Sequence, residues 1–193
     1  MKWITSLTLA VCLPAVFAAP AIFAAPPVPR PANEFRIVAP SGKPVKLSDF
    51  RGKVVLLQFL YTTCSHCQAT ARMLSKLQEE LGPRGFQVLG VAFNAEAQER
   101  PVAIDEFIKG NSLGFPVGSA SPDTVLGYLG ASVMERFVVP QIMVIDRHGT
   151  IRAQSELLGS AELQDESYLR SFLGGLLNDR TSTSAQANRR RRP

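Results

Sequence analysis

The chain has 193 residues, 46% hydrophobic and 19% charged, which is a globular composition with room for one domain of ordinary size and excludes a disordered chain. The net charge of +5 does not mark a nucleic-acid partner, and none is expected, because Lys2, Arg189, Arg190, Arg191 and Arg192 account for it and the body between them is neutral overall.

Residues 1–24 read as a secretory signal. Lys2 precedes an apolar stretch from Trp3 to about Phe17, and small residues follow. Val16-Phe17-Ala18 and Ile22-Phe23-Ala24 both fit a cleavage site; cleavage after Ala18 is preferred, with Ala24 second. The stretch is shorter than the ~20 residues a spanning helix needs, so no stable membrane span is expected in the mature form. Val11 is a poor residue to precede a lipidated Cys12. Export, to the periplasm or another extracytoplasmic space if the source is bacterial, leaves Cys64 and Cys67 as the remaining cysteines. One pair cannot be a disulfide-dense scaffold, and export places it where its redox state matters.

Residues 25–33 read as a stiff Pro-rich linker, and 34–178 as the folded domain. Phe35 to Val38 and Val45 to Leu47 form a strand pair about the Ser41-Gly42 turn. Val54 to Leu60, "VVLLQFL", reads as a strand buried on both faces. A helix follows from Ser65 to Leu81, with Ala71, Leu74, Leu77 and Leu81 on one face and Gly82-Pro83 as its stop. Phe86 to Phe93 is a second buried strand, Pro101 to Lys109 a helix, Phe115 to Val117 a short strand, and Pro122 to Leu129 a helix capped by Ser121. Gln141 to Ile145 and Thr150 to Gln154 are strands joined through Asp146-Arg147-His148-Gly149. Asp165 to Leu177 closes the domain as an amphipathic helix. Residues 179–193 are poor in apolar side chains and read as a disordered basic tail. The order predicts an α/β layer fold, parallel in its first half and antiparallel at its end.

"YTTCSHCQAT" carries the chemistry. A structural zinc site needs four ligands, and the chain after the signal offers Cys64, Cys67, His66 and His148. His66 lies between the two cysteines and is badly placed to close their tetrahedron, so no metal is expected. A structural disulfide of this spacing closes a tiny loop, and its stabilisation falls below the ~3 kcal/mol of a 15-residue loop. A redox pair explains more. A helix N-terminus carries partial positive charge and unpaired N–H groups, which stabilise a thiolate. The strand before it places the first cysteine at the C-terminal edge of the sheet, where α/β folds hold reactive groups. The first cysteine of such a pair is normally the exposed one, so Cys64 is the nucleophile. Cys67, one turn on, resolves the mixed disulfide.

"GKVVLLQFLYTTCSHC" and, far downstream, "VVPQIMVIDRHGTI" resemble the thioredoxin superfamily in its exported TlpA/ResA-like branch, relatives of the AhpC/TSA-type domain. The resemblance spans about residues 33 to 177, including the extra strand–helix segment between Phe93 and Pro140. It implies a thioredoxin-like fold: a central mixed sheet with helices on both faces, an N-terminal β-hairpin and an inserted strand–helix segment. It also implies a cis-proline facing the cysteines. Pro140 matches that position, and Val139 before it would present its backbone to an extended substrate as an added strand. The expected activity is thiol–disulfide exchange with protein thiols and disulfides. No organic cofactor is needed, and an unidentified redox partner resets the pair.

The chain departs from that family at several places. Thr63 and His66 stand where many TlpA/ResA members carry Trp and Pro, and "CSHC" is closer to the "CPHC" of DsbA-type oxidases. A cation or N–H donor beside the first sulfur favours the reduced form and makes the disulfide a stronger oxidant. Ser65 and His66 are therefore the candidate tuning residues, with a potential above thioredoxin's expected. Gln58 stands where thioredoxin has a buried Asp and cannot titrate; it either hydrogen-bonds near Cys67, serves as a satisfied core amide, or faces an edge. Gln58 and Thr63 are secondary candidates. Ser65 stands where many ResA-type proteins keep a Glu.

Two rivals remain. A peroxiredoxin-like thiol peroxidase, with antioxidant function, needs Thr three residues before its cysteine and Pro four before that; Tyr61 and Leu57 occupy those positions. A Sco-like copper protein spaces its cysteines Cys-x-x-x-Cys and brings in a distal His. His148 is the one distal His here, in a turn expected to lie away from the pair.

Overall fold

The computed structural model describes residues 25–179. The signal with its two cleavage sites, Cys12, and the tail from residue 180 onward lie outside the described residues.

Val54–Leu60 forms β4, and all seven side chains are buried. A strand apolar on both faces is stable where both faces are covered, and β4 sits in the middle of an eight-stranded sheet. Phe86–Ala92 (β5) pairs with it in parallel, and Gln141–Ile145 (β7) pairs with it antiparallel on the other side. Beyond β5 come Val117–Ser119 (β6, parallel to β5), then Arg36–Val38 (β2) and Pro44–Lys46 (β3) as an antiparallel hairpin. Beyond β7 comes Thr150–Gln154 (β8), edged by Arg30–Pro31 (β1). The expected division into a parallel first half and an antiparallel end is observed.

Among the described residues five α-helices flank the sheet: α1 Ser65–Leu81, α2 Ala95–Glu99, α3 Pro101–Gly110, α4 Pro122–Leu129 and α5 Glu166–Asn178. α1 buries Ala71, Leu74, Leu77 and Leu81 with Ile104 and Phe107 of α3 and Leu169 and Leu173 of α5, against Leu56, Leu60, Val88 and Val144 of the sheet. The other face packs Val125 and Leu129 of α4 with Phe35, Phe59, Val91 and Met143. The alternation of neighbours along β4 and β7 sends their side chains into these two clusters in turn. After α1 the chain turns back at Gly85, whose φ of +93° suits glycine, and a Cβ there would meet the Arg147 guanidinium at 2.8 Å. Arg147 donates from that place to the carbonyls of Gly52 and Arg84.

The differences from expectation have local causes. β6 begins at Val117, not Phe115, because Pro116 has no N–H for the ladder and instead accepts from Gly90 at 2.9 Å. Phe115 then turns into the core beside α1. The Pro-rich segment is not extended throughout: it bends at Val28 and Pro29, whose peptide is cis, and then ends in a paired edge strand in which Pro31 opposes Thr150, while Arg30 donates to Gln154 and to the Pro26 carbonyl. An edge is where a strand tolerates proline. α2, five residues long, was too short to show periodicity. α5 starts one residue late because Asp165 is its cap, accepting the Tyr168 N–H at 2.7 Å.

Candidate functional site

β4 ends at Leu60, and four residues, Tyr61, Thr62, Thr63 and Cys64, carry the chain to α1. Cys64 is the N-cap of α1 with extended backbone, φ −82° and ψ 118°. Its Sγ accepts the Cys67 N–H at 3.2 Å, in the place a capping serine oxygen would take. Its carbonyl accepts from Gln68 at 3.0 Å, and its N–H donates to the Tyr61 carbonyl at 3.1 Å. Asn94, just after β5, holds the loop from the side: its Oδ1 accepts the Thr62 N–H at 3.2 Å and its Nδ2 donates to the Thr62 hydroxyl at 3.1 Å. Gln68 donates back to the Thr62 carbonyl. Cys64 is thus fixed at the mouth of the helix by bonds from two elements.

Both cysteines are free thiols; Cys64 is half-buried and Cys67 buried. The Val139–Pro140 peptide is cis, and the Val139 carbonyl oxygen lies 3.9 Å from Cys64 Sγ. The segment 75 residues away is therefore brought against the cysteine, as the resemblance implied.

Gln58 is fully buried, and its Nε2 donates to the Cys67 carbonyl at 2.9 Å. That settles its orientation: it faces α1 from the centre of the sheet, not an edge. Its Oε1 has no partner among the described residues. Ser65, His66 and Thr63 are exposed, and their side chains make no hydrogen bond to the described residues. His148 sits at the other end of β4, where it lines a 490 Å³ cavity with Gly52, Lys53 and Val55. Sequence reading missed Asn94 and Gln68, which brace the loop, and Gln141, whose side chain is fully buried behind Pro140.

Burial pushes the Cys67 thiol up from its ordinary 9.0, and its hydrogen bond with Cys64 acts in the same direction. The folded protein therefore keeps this proton at pH values where the unfolded chain releases it. The stability the proton contributes is complete below the unfolded value of about 9.0 and falls as pH rises beyond it. The reduced protein is expected to lose up to about 1.4 kcal/mol per pH unit more than Cys67→Ser in that range, the hydroxyls of Tyr61 and Tyr128, also raised by burial, acting in both. Urea unfolding of both proteins at several alkaline pH values checks this; parallel slopes would contradict it.

A half-buried cysteine capping the helix that follows a central strand, with a proline-bearing loop against its sulfur, belongs to a thioredoxin-like α/β domain. Solved structures agree: a putative thiol:disulfide interchange protein DsbE from Chlorobium tepidum superposes with a TM-score of 0.62 at 24% identity, over 77% of this chain and 96% of that one. Residues 28–154 match the AhpC/TSA family, and the chain belongs to it. Among curated relatives, the thiol-disulfide oxidoreductase ResA of Bacillus thuringiensis (strain Al Hakam) is 25% identical over 142 residues, covering 73% of this chain and 76% of the relative. Glutathione peroxidase 7 of Mus musculus is 33% identical over a shorter stretch of 90 residues, 45% of this chain and 48% of that protein. No helix among the described residues is long and apolar enough to cross a membrane.

Proposed function

We propose that this protein is an exported thiol–disulfide oxidoreductase of ResA/DsbE type, exchanging its Cys64–Cys67 dithiol or disulfide with protein substrates. The observation that carries the reading is the placement of Cys64 Sγ, 3.2 Å from the Cys67 N–H and 3.9 Å from the Val139 carbonyl. The relatives named as thiol–disulfide oxidoreductases support it, and the N-terminal signal pattern supports export.

In the reducing direction, the Cys64 thiolate attacks one sulfur of a substrate disulfide. A Cys64–substrate disulfide forms, and the other substrate sulfur leaves as a thiolate and takes a proton. Cys67 loses its proton and attacks the Cys64 sulfur. The intramolecular disulfide forms, the second substrate thiolate departs, and two electrons have passed to the substrate. The same steps reversed oxidise a dithiol substrate. A redox partner resets the pair, and no organic cofactor takes part. Gln58 holds the Cys67 carbonyl, so the resolving residue is braced from the sheet.

His66 is exposed in the first turn of α1, one residue from Cys67 and two from Cys64. The pair is expected to have a potential above thioredoxin's roughly −270 mV, toward the DsbA end of a range about 150 mV wide. Titration against glutathione buffers measures it, and a value at or below thioredoxin's would refute the expectation.

The similarity to a glutathione peroxidase favours a second reading, a thiol peroxidase. Tyr61 and Leu57 stand where the peroxiredoxin pattern has Thr and Pro, which leaves the peroxide without its usual hydroxyl. A copper role needs a distal ligand, and His148 lies at the far end of β4. Turnover of a peptide disulfide and of hydrogen peroxide, measured side by side with a dithiol reductant, separates the first two readings. The oxidoreductase reading expects the former above the background of the reductant and the latter no faster than free thiol; the reverse pattern would overturn it.

A further inference from the structure

Gln141 opens β7 directly after Pro140, in a strand whose other members, Ile142, Met143, Val144 and Ile145, are apolar. A fully buried amide in such a strand is unfavourable unless its groups are bonded. Its Nε2 shares two N–H groups among three carbonyls, Val138 at 2.7 Å, Glu156 at 3.1 Å and Leu157 at 3.1 Å, while its Oε1 has no partner among the described residues. The Val138 N–H donates to the Leu157 carbonyl at 2.9 Å. The segment leading to Pro140 is thereby tied to the loop after β8. A second tie lies next to it, where the Ser155 hydroxyl accepts the Ile142 N–H at 3.0 Å.

The bond to Val138 has a consequence for the site. In a trans peptide the N–H points opposite the preceding C=O. With the Val138 carbonyl held inward by Gln141, the Val139 N–H is turned outward, and it makes no hydrogen bond among the described residues. The Val139 carbonyl lies 3.9 Å from Cys64 Sγ. Val139 so offers a donor and an acceptor on the open side, the two groups one residue exchanges with an added antiparallel strand.

We propose that Gln141 is a positioning residue for substrate capture: by holding the Val138 carbonyl inward it presents the Val139 backbone to an extended polypeptide that carries the target cysteine. The inference rests on the oxidoreductase reading above and adds a specificity to it. Disulfides within a polypeptide backbone are taken in preference to small disulfides that have none.

The test compares a short peptide containing one disulfide with 5,5′-dithiobis(2-nitrobenzoate), which has no peptide backbone. Gln141→Leu keeps the position filled, makes it apolar and removes both donors. It is expected to lower the ratio of peptide kcat/KM to small-disulfide kcat/KM about tenfold, mainly through a higher peptide KM. Ser155→Ala loosens the same loop without releasing the Val138 carbonyl and is expected to leave the ratio within about twofold of the wild type. Should Gln141→Leu fail to fold by circular dichroism, Gln141→Met, unbranched, close in size and without a donor, takes its place under the same criterion. An unchanged ratio in the Gln141 variant, or an equal fall in Ser155→Ala, overturns the proposal while the oxidoreductase reading stands. A wild-type protein that reduces neither substrate overturns both.

Discussion

Cys64→Ser is expected to bring disulfide turnover down to the uncatalysed background, because it removes the sulfur that forms the first bond to substrate. Of the two cysteines, Cys64 alone is partly open to solvent, and its Sγ is the one that lies against Val139. A serine oxygen can still cap α1 by accepting the Cys67 N–H, so the variant is expected to fold with nearly wild-type stability. That combination, a lost activity on an intact fold, distinguishes a chemical role from a structural one. Cys67→Ser should behave differently. It keeps the attacking sulfur and loses the resolving one, so single attacks on substrate disulfides continue while multiple turnover with a dithiol reductant falls steeply. Measuring both variants with the same peptide disulfide, alongside their unfolding curves, checks the assignment. Equal loss of the single attack on the peptide disulfide in the two would contradict it.

Phe59→Ala is expected to remove about 3–5 kcal/mol of stability, a large part of the ~5–15 kcal/mol typical of a domain. Phe59 is fully buried in β4, with three strands on one side and four on the other, opposite Val91 and Gln141 in register. Its ring meets Phe35 edge-on at 5.8 Å and Tyr128 at 6.4 Å, so it joins the sheet to the N-terminal segment and to α4 at once. Deleting it leaves a cavity between elements that cannot collapse without moving the central strand. The same strand carries the cysteine loop at its end, yet Phe59 points to the face away from α1, into the cluster that holds α4. The folded fraction of the variant should therefore keep its thiol chemistry. Urea unfolding should show a lower midpoint with an unchanged slope. A loss under about 1 kcal/mol would mean that this face of the sheet is far more yielding than its packing indicates.

The parts of the fold read correctly from sequence are those whose signals are local. β4, α1, α4, β7 and β8 have the bounds expected, because an unbroken apolar run, a capping Ser121 and the Gly82-Pro83 stop each act within a few residues. What escaped depends on partners far along the chain. β1 is a strand because β8 offers it an edge, and β6 is displaced because Pro116 meets Gly90. The site divides in the same way. Cys64 and Cys67 announce themselves by spacing. Val139 and Pro140 were reachable through the resemblance of two distant motifs, not through any local pattern. Gln58 was recognisable as an oddity in an apolar strand, but its choice between core and edge needed the position of α1. Asn94 and Gln141 carry no signal of their own: each acts on backbone groups 3 to 32 residues away, and an amide beside a strand looks the same whatever it holds.

The central claim, that Cys64 attacks and Cys67 resolves, is tested most directly by mass-mapping the adduct that Cys67→Ser forms with a peptide disulfide. The account predicts one covalent adduct, reversed by reductant, with the new disulfide on Cys64. No adduct would contradict it.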